Sequence, residues 1–441
     1  MSVGMMVLIM FAFLLILILA GVPLAFVLCS SGIVFGLLWI GPSCLPLFIN
    51  RIYGQMESGV FPAIPLFIFM GFMLEKSGTT EELYRVLYQV LKSLRGGLAI
   101  ATIIISTLFA ACSGVIAASI IAMGLIALPP MIKRGYNKGL ACGSVVAGGT
   151  LGVIIPPSIL LILYGPIAGI SVAKLFSAAM MPGLLLSTLY VLYIFIITTI
   201  YPHFGPTISD EEKDSIDKKQ LAFDFCYFLL PPIILILMVL GGIFFGIVAT
   251  TEAASVGAFG SVVLSIVYNK RFDWKVFQQV TLETLKVSAM VLFVALGASL
   301  FTVVFISLGG TTYLTELALA FPGGKWAVFL FMMVIAFFLG MFIDWIGILY
   351  ICVPVFTPII IKLGFNPLWF ATVLCVNLQT SFLSPPFAYS IFFLKSVAPK
   401  EVGIMDIYKG SLQFIALQAI CLVLIVLFPQ IVLWMPTSFF N

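Results

Sequence analysis

Two stretches decide the fold: Ala147-Gly-Gly-Thr-Leu-Gly-Val-Ile-Ile-Pro-Pro-Ser158 and Asn377-Leu-Gln-Thr-Ser-Phe-Leu-Ser-Pro-Pro386. A constant offset of 229 lays Pro156-Pro157 over Pro385-Pro386. Both stretches interrupt long apolar runs with residues that a helix tolerates badly. Relative to alanine, glycine costs about 1 kcal/mol and proline about 3 kcal/mol in a helix interior. Three glycines and two prolines within the twelve residues of the first stretch therefore predict a broken helix.

Outward from the breaks, the same offset aligns Pro129 with Pro358, Gly135 with Gly364 and Asn137 with Asn366. The segment Leu128-Pro-Pro-Met-Ile-Lys-Arg-Gly-Tyr-Asn137 thus pairs with Thr357-Pro-Ile-Ile-Ile-Lys-Leu-Gly-Phe-Asn366. Gly78-Thr79-Thr80 finds Gly310-Thr311-Thr312 at a slightly different offset, as a small indel would produce. An ordered set of this kind marks an internal repeat. Residues 1–202 form the first half and 225–441 the second. A polar linker, 203–224, joins them and carries the run Ser209-Asp-Glu-Glu-Lys-Asp-Ser-Ile-Asp-Lys-Lys219.

Composition sets the solvent. Of 441 residues, 62% are hydrophobic and 9% charged, against roughly a quarter charged in soluble domains. Apolar runs of about 20 residues, enough to span the hydrocarbon core, recur from Met5 to Trp434. The expectation is an all-α, polytopic membrane protein. Residues 5–27 have no basic flank ahead and no small-residue cleavage site behind, so they read as a retained span rather than a signal peptide. The net charge of +4 is spread over short loops and leaves no nucleic-acid footprint. All eight cysteines, Cys112, Cys142, Cys352 and Cys375 among them, lack a CxxC pair, which speaks against disulfides and zinc. The single histidine, His203, sits in a polar loop and reads as solvated.

Basic residues report orientation. Residues 98–131 are flanked by Lys92 and Arg95 before and by Lys133, Arg134 and Lys138 after, so both ends should lie on the cytoplasmic side of a re-entrant hairpin. The equivalent 326–361 is flanked only by Lys325 and Lys362, while Lys270, Arg271 and Lys275, and Lys395 with Lys400, lie one span away. That hairpin should open outward, which makes the repeats inverted. The count becomes about ten full spans plus two hairpins, each hairpin followed by a broken span, 139–165 and 367–394. Both termini and Arg51 fall outside and the linker inside, Arg51 being an exception to the charge rule.

Two stretches are too polar or too short to span, 81–95 and 311–320. In the first, Leu83, Val86, Leu87, Val90 and Leu91 lie at helical spacing opposite Glu82, Arg85, Gln89 and Lys92. It reads as a helix flat on the interface or as an arm between a moving and a fixed part.

Each hairpin centre is marked by small or polar residues, Ala111-Cys-Ser-Gly-Val-Ile-Ala-Ala-Ser119 and Gly340-Met-Phe-Ile-Asp-Trp-Ile-Gly347. A broken membrane helix exposes carbonyls that suit Na⁺ and amides that suit carboxylates. Alternatively, the glycines only permit close packing and the prolines only kink. Recurrence of the break behind each hairpin favours a site. Asp344 is the acid set deepest in apolar sequence, a functional hint by default, with helix capping as the alternative. Glu252, in Ala249-Thr-Thr-Glu-Ala-Ala-Ser255, is at least as well explained by a capping box. No Ser-His-Asp set, Walker loop or dinucleotide fingerprint occurs, so the chain reads as a carrier, not an enzyme, and ion coupling replaces ATP.

Pro65-Leu-Phe-Ile-Phe-Met-Gly71, Gly135-Tyr-Asn-Lys-Gly139, Gly152-Val-Ile-Ile-Pro-Pro-Ser158 with Tyr164-Gly165, Thr251-Glu-Ala-Ala254, and Asn377-Leu-Gln379 with Ser384-Pro-Pro386 resemble the large membrane subunit (M subunit) of tripartite ATP-independent periplasmic (TRAP) transporters. The resemblance covers nearly the whole chain. It implies a multi-pass protein of the bacterial inner membrane that imports a small organic acid with Na⁺, by an elevator motion of a transport domain within a scaffold. It also implies a soluble periplasmic substrate-binding protein and a separate four-span membrane subunit as partners, with no organic cofactor. By the family's pattern one Na⁺ site draws on Ser113, Gly114, Gly148, Gly149, Thr150 and Pro156. The other draws on Asp344, Gly347, Thr380, Ser384 and Pro385. Substrate would lie between the hairpin tips, near Ser113, Ser158, Asp344, Thr380 and Ser381. Where the family often has glycines after the second Pro-Pro, this sequence has Phe387-Ala-Tyr-Ser390, which points to an altered pocket. Two other readings stay open: a stand-alone Na⁺/anion symporter, and a structural or proton-channel subunit of an energy-transducing complex.

Overall fold

The computed structural model describes residues 1–91, 93–113, 116–207, 218–267, 273–385 and 388–440, with only the backbone of 111–113, 218 and 222. Within these residues all regular structure is helical. In chain order the first half holds α1 (Val3–Leu19), α2 (Leu24–Phe35), α3 (Cys44–Met56), α4 (Ala63–Lys76), α5 (Thr79–Leu91), α6 (Gly97–Ser113), α7 (Ile116–Ile126), α8 (Leu128–Lys133), α9 (Lys138–Thr150), α10 (Ile159–Ala168) and α11 (Val172–Ile200). The second holds α12 (Lys218–Phe244), α13 (Thr250–Val267), α14 (Trp274–Ser307), α15 (Gly310–Leu319), α16 (Gly324–Phe342), α17 (Trp345–Lys362), α18 (Pro367–Leu383), α19 (Tyr389–Val397), α20 (Ile404–Leu427) and α21 (Gln430–Phe439). Among the described residues nine helical segments are long and apolar enough to cross a membrane, and four shorter apolar helices accompany them. The chain is a multi-pass membrane protein.

The repeated Gly-aromatic-Asn triplets are punctuation. Gly135 and Gly364 take φ of +74° and +78°, a left-handed conformation that glycine adopts without steric cost. Each closes the helix before it: Tyr136 N–H reaches Met131 O at 3.0 Å and Phe365 N–H reaches Ile360 O at 3.1 Å, the long bond of a Schellman stop. The asparagines then open the next helix. Asn137 Oδ1 accepts from Leu140 N–H at 3.1 Å, and Asn366 Oδ1 from Leu368 and Trp369 N–H at 2.9 and 3.2 Å. The aromatic residues differ in use. Tyr136 Oη accepts from Leu98 N–H at the start of α6, whereas Phe365 stacks on Trp369 with Lys325 over its ring.

Two groups of helices emerge from the packing. One is built on α2 against α14, α4 against α13 and α14, and α12 against α13 and α5. Lys76 and Glu283 pair across it at 3.0 Å. The other gathers α6, α7, α9 and α19 with α16, α17, α18, α10 and α20. Here small residues let backbones approach. An added carbon at Gly143 would come within 2.7 Å of Gly410 O, and one at Gly410 would overlap Gly139 O.

Direction within this second group can be read from α20. The start of α9 lies at Gly410, whereas the start of α18 lies at the far end of α20, where Trp369 Nε1–H donates to Ile425 O at 2.9 Å. The two helices related by the 229 offset thus enter from opposite ends of α20. Basic residues sort by end as well. Lys138 Nζ donates to Glu401 O and Lys395 Nζ to Val402 O, while Asn137 and Gly96 bind the 204–205 loop. Arg51 and Lys362 share a cavity elsewhere. Lys92, Lys270, Arg271 and residues 209–217 of the linker run lie outside the described residues.

Helix α5 covers much of the 81–95 stretch. Leu83, Val86 and Leu87 are buried, with Tyr84 beside them, but Val90 is 44% exposed. Its polar face is engaged: Arg85 pairs with Glu82 at 2.7 Å and lies 3.9 Å from Asp224 on α12. The helix is therefore pinned between α6 and α12.

Candidate functional site

Both breaks have a defined geometry. In the first, α9 ends at Thr150, a 3₁₀ turn covers Leu151–Val153, and Pro156-Pro157 is a cis bond before α10. Ser158 Oγ donates to Val153 O at 2.6 Å, closing the break on itself. In the second, α18 ends at Leu383 and Ser384 is extended. Ser384 Oγ donates to Thr380 O at 2.9 Å, Thr380 Oγ1 to Val376 O at 3.0 Å and Ser381 Oγ to Leu378 O at 2.6 Å. These hydroxyl oxygens keep lone pairs free after donating their one proton. Pro385 is exposed, and Pro386 and Phe387 lie outside the described residues.

The glycines are packing surfaces. A carbon added at Gly148 would sit 2.7 Å from Ser106 Oγ on α6, and one at Gly149 would overlap Ile120 on α7, so both arms of the first hairpin seat against α9 there. On the other side Gly340 of α16 receives Ser381 of α18, with no room for a side chain. The two seats exchange partners: serine comes from the hairpin and glycine from the span in one, glycine from the hairpin and serine from the span in the other. Gly347 meets Leu24 of α2, so its lack of a side chain serves contact with the first helix group.

Asp344 caps α17. It is partly exposed, and its carboxylate accepts from Ile346 N–H at 3.4 Å. Glu252, exposed, accepts from Ala249 N–H at 2.8 Å as the return bond of a cap on α13. At the first hairpin tip Gly114 and the side chain of Ser113 lie outside the described residues.

Several polar groups escaped the sequence reading. Gln379 Nε2–H donates to Thr150 Oγ1 at 3.3 Å, both residues fully buried, and their numbers differ by the repeat offset of 229. Gln379 Oε1, Ser106 Oγ and Ser390 Oγ are buried with no hydrogen-bond partner among the described residues. Asn377 Nδ2–H donates to Met333 O on α16 at 2.8 Å, and Tyr389 Oη–H to Phe342 O, two residues before Asp344, at 3.1 Å. Gln379 and Asn377 lie in the stretch whose prolines predict the second break. Their signal was the offset that sets Gln379 on Thr150.

The breaks and hairpins interlock. The second arm of the first hairpin, α7, packs on α19 beyond the second break, and the second arm of the other hairpin, α17, packs on α10 beyond the first break. The two breaks supply serine and threonine hydroxyls and helix-end carbonyls, and Asp344 supplies a carboxylate at the head of α17, groups of the kind that hold a hard monovalent cation or meet an anion at helix ends.

Comparison with known proteins agrees with this architecture. The large permease protein DctM of a C4-dicarboxylate TRAP transporter from Pseudomonas aeruginosa is 30% identical over 406 residues, covering 91% of either chain. An isethionate TRAP transporter permease protein, DctMQ, from Oleidesulfovibrio alaskensis is 28% identical over 96% of this chain and 65% of its own length. The ectoine TRAP transporter large permease protein TeaC from Halomonas elongata is 27% identical, covering 95% of this chain and 96% of its own. Among solved structures, the Alcanivorax borkumensis YdaH transporter shares the fold at a TM-score of 0.64 and 16% identity, covering 96% of this chain and 98% of that one. The model of the tripartite ATP-independent periplasmic transporter DctM component matches residues 11–431. This chain belongs to that family, as a large membrane subunit of a TRAP transporter.

Proposed function

We propose that the chain carries a small organic acid into the cell together with Na⁺, after delivery by a soluble periplasmic binding protein, and that it works beside a small four-span membrane subunit on a separate chain. The observation that carries this reading is the interlock of two broken helices with two hairpins around the Thr150–Gln379 contact. That arrangement supports two inverted repeats, 1–202 and 225–441 joined by the 203–224 linker, with a site near the midplane. The sorting of Lys138 and Lys395 to one end supports a cytoplasmic face there, both termini outside, in the bacterial inner membrane.

One Na⁺ is assigned to the first break, with Ser106 added to Ser113, Gly114, Gly148, Gly149, Thr150 and Pro156. A second is assigned to Asp344, Gly347, Thr380, Ser384 and Pro385. The solute lies between the tips, near Ser113, Ser158, Asp344, Thr380 and Ser381. C4-dicarboxylate, isethionate and ectoine, the solutes in the relatives' names, all carry an acid group. The two helix groups act as scaffold and transport domain of an elevator.

Uptake by proteoliposomes holding both membrane subunits tests this. Uptake should require both a Na⁺ gradient and the binding protein; equal rates without either would overturn it.

A further inference from the structure

Between α3, the end of α10, the last third of α14 and the face of α17 lies an open cavity of about 760 Å³, within the range of about 300–1,000 Å³ common for small-molecule sites. Arg51 of α3 and Lys362 at the end of α17 line it, both exposed, and no acidic side chain is among the described residues that do. Asn50, Ser58 and Thr302 add neutral polar groups. Tyr350 forms part of the wall at 5% exposure, and its hydroxyl has no hydrogen-bond partner among the described residues. A buried O–H with no acceptor in the protein can be satisfied by a bound water or ligand in the cavity it borders.

None of the residues assigned to the Na⁺ or solute positions lines this cavity. Its walls come from both helix groups: Arg51 stands on α3, which packs on α14, whereas Tyr350 and Lys362 stand on the hairpin arm α17. Arg51 and Lys362 also fall on the outer side in the proposed orientation, where cations run against the usual charge bias and call for a reason of their own.

We propose that this cavity is a second anion-binding site, an entry station where Arg51 and Lys362 attract a carboxylate at the outer end and the Tyr350 hydroxyl, about 18 Å deeper along α17 at about 1.5 Å per residue, donates to it later on the way to the hairpin tips. The assignment rests on the proposed outward orientation and direction of uptake. Because one cation belongs to each helix group, relative motion of the groups separates the two charges and loosens the anion.

The test needs no knowledge of the native solute. A cysteine is placed in the cavity by Ser58→Cys in the purified full-length chain, and its reaction with anionic sulfonatoethyl and cationic trimethylammonioethyl methanethiosulfonate is followed by mass spectrometry of the peptide that contains it. Arg51→Gln with Lys362→Gln should lower the anion-to-cation rate ratio by about fivefold or more, the scale expected for two nearby charges in water and salt. Arg51→Lys with Lys362→Arg should restore it. Succinate should slow both reagents in the parent chain, less in Tyr350→Phe and not in the doubly neutralised variant. An unchanged ratio, absence of protection by succinate in the parent, or protection that survives neutralisation would each overturn the proposal. Na⁺ and binding-protein dependence are read separately in the uptake assay, so either reading can fail without the other.

Discussion

Asp344 caps α17 and is proposed to bind Na⁺, and a single substitution can separate the shown role from the proposed one. As the cap of α17 it accepts from Ile346 N–H, and asparagine caps a helix about as well as aspartate. As a charge near the midplane it would attract Na⁺, which asparagine does far less. Asp344→Asn is therefore expected to leave abundance and monodispersity unchanged while uptake falls about tenfold or more, the rate equivalent of ~1.4 kcal/mol. Radiolabelled uptake beside quantitative immunoblotting decides it, and full uptake in the variant assigns Asp344 to capping alone. The residue scale is also where the sequence was least legible. Asp344 stands out because charge in apolar sequence is rare, but Ser106 and Ser390 are small hydroxyl residues among others on apolar helices, and nothing local distinguishes them from hydroxyls that bond back to their own helix, as Thr102 and Thr107 do. Only the contact of Ser106 with Gly148 sets it apart.

Among the elements, the punctuation was legible and its exact register was not. Gly135, Asn137, Gly364 and Asn366 could be read because left-handed glycine and side-chain caps depend on residue type alone. The weaker match of Gly78 with Gly310 was off by one: the glycine that turns the chain into α15 is Gly309, with φ +79° like Gly78. The apolar face of α5 was legible through Leu87 but not at Val90, since the neighbours α6 and α12, rather than periodicity, decide where burial stops. At this scale the contact between the two broken helices can be measured. Thr150→Val and Gln379→Leu, singly and together, form a double-mutant cycle. A coupling of about 0.5–1.5 kcal/mol in thermal or denaturant unfolding is expected for one buried neutral hydrogen bond; strict additivity would mean that the bond contributes nothing in the membrane.

For the whole molecule, the proposal of a moving transport domain makes a mechanical claim about the interface between the helix groups. Ser299 on α14 and Val353 on α17 line the same cavity from opposite groups. Joining Ser299→Cys to Val353→Cys with a cleavable bifunctional thiol reagent should arrest uptake, and reduction should restore it, while either single variant treated alike is slowed by the bulk in the cavity but continues to transport. Uptake that continues in the joined protein removes the elevator reading. The division into groups was only partly legible. Hairpins and breaks announce themselves through glycine, proline and charge, whereas pairings such as α2 with α14 or α4 with α13 involve uniformly apolar helices whose partners no periodicity names.

Thr150 and Gln379 occupy the same place in the two halves and touch each other, which only residues beside the axis relating the halves can do. If the two halves are inverted repeats, as proposed, a second state would follow from each half adopting the shape of the other. Most contacts change partner under such an exchange. A contact between counterparts maps onto itself, so Thr150 and Gln379 would meet in both states, a stationary point about which everything else trades places.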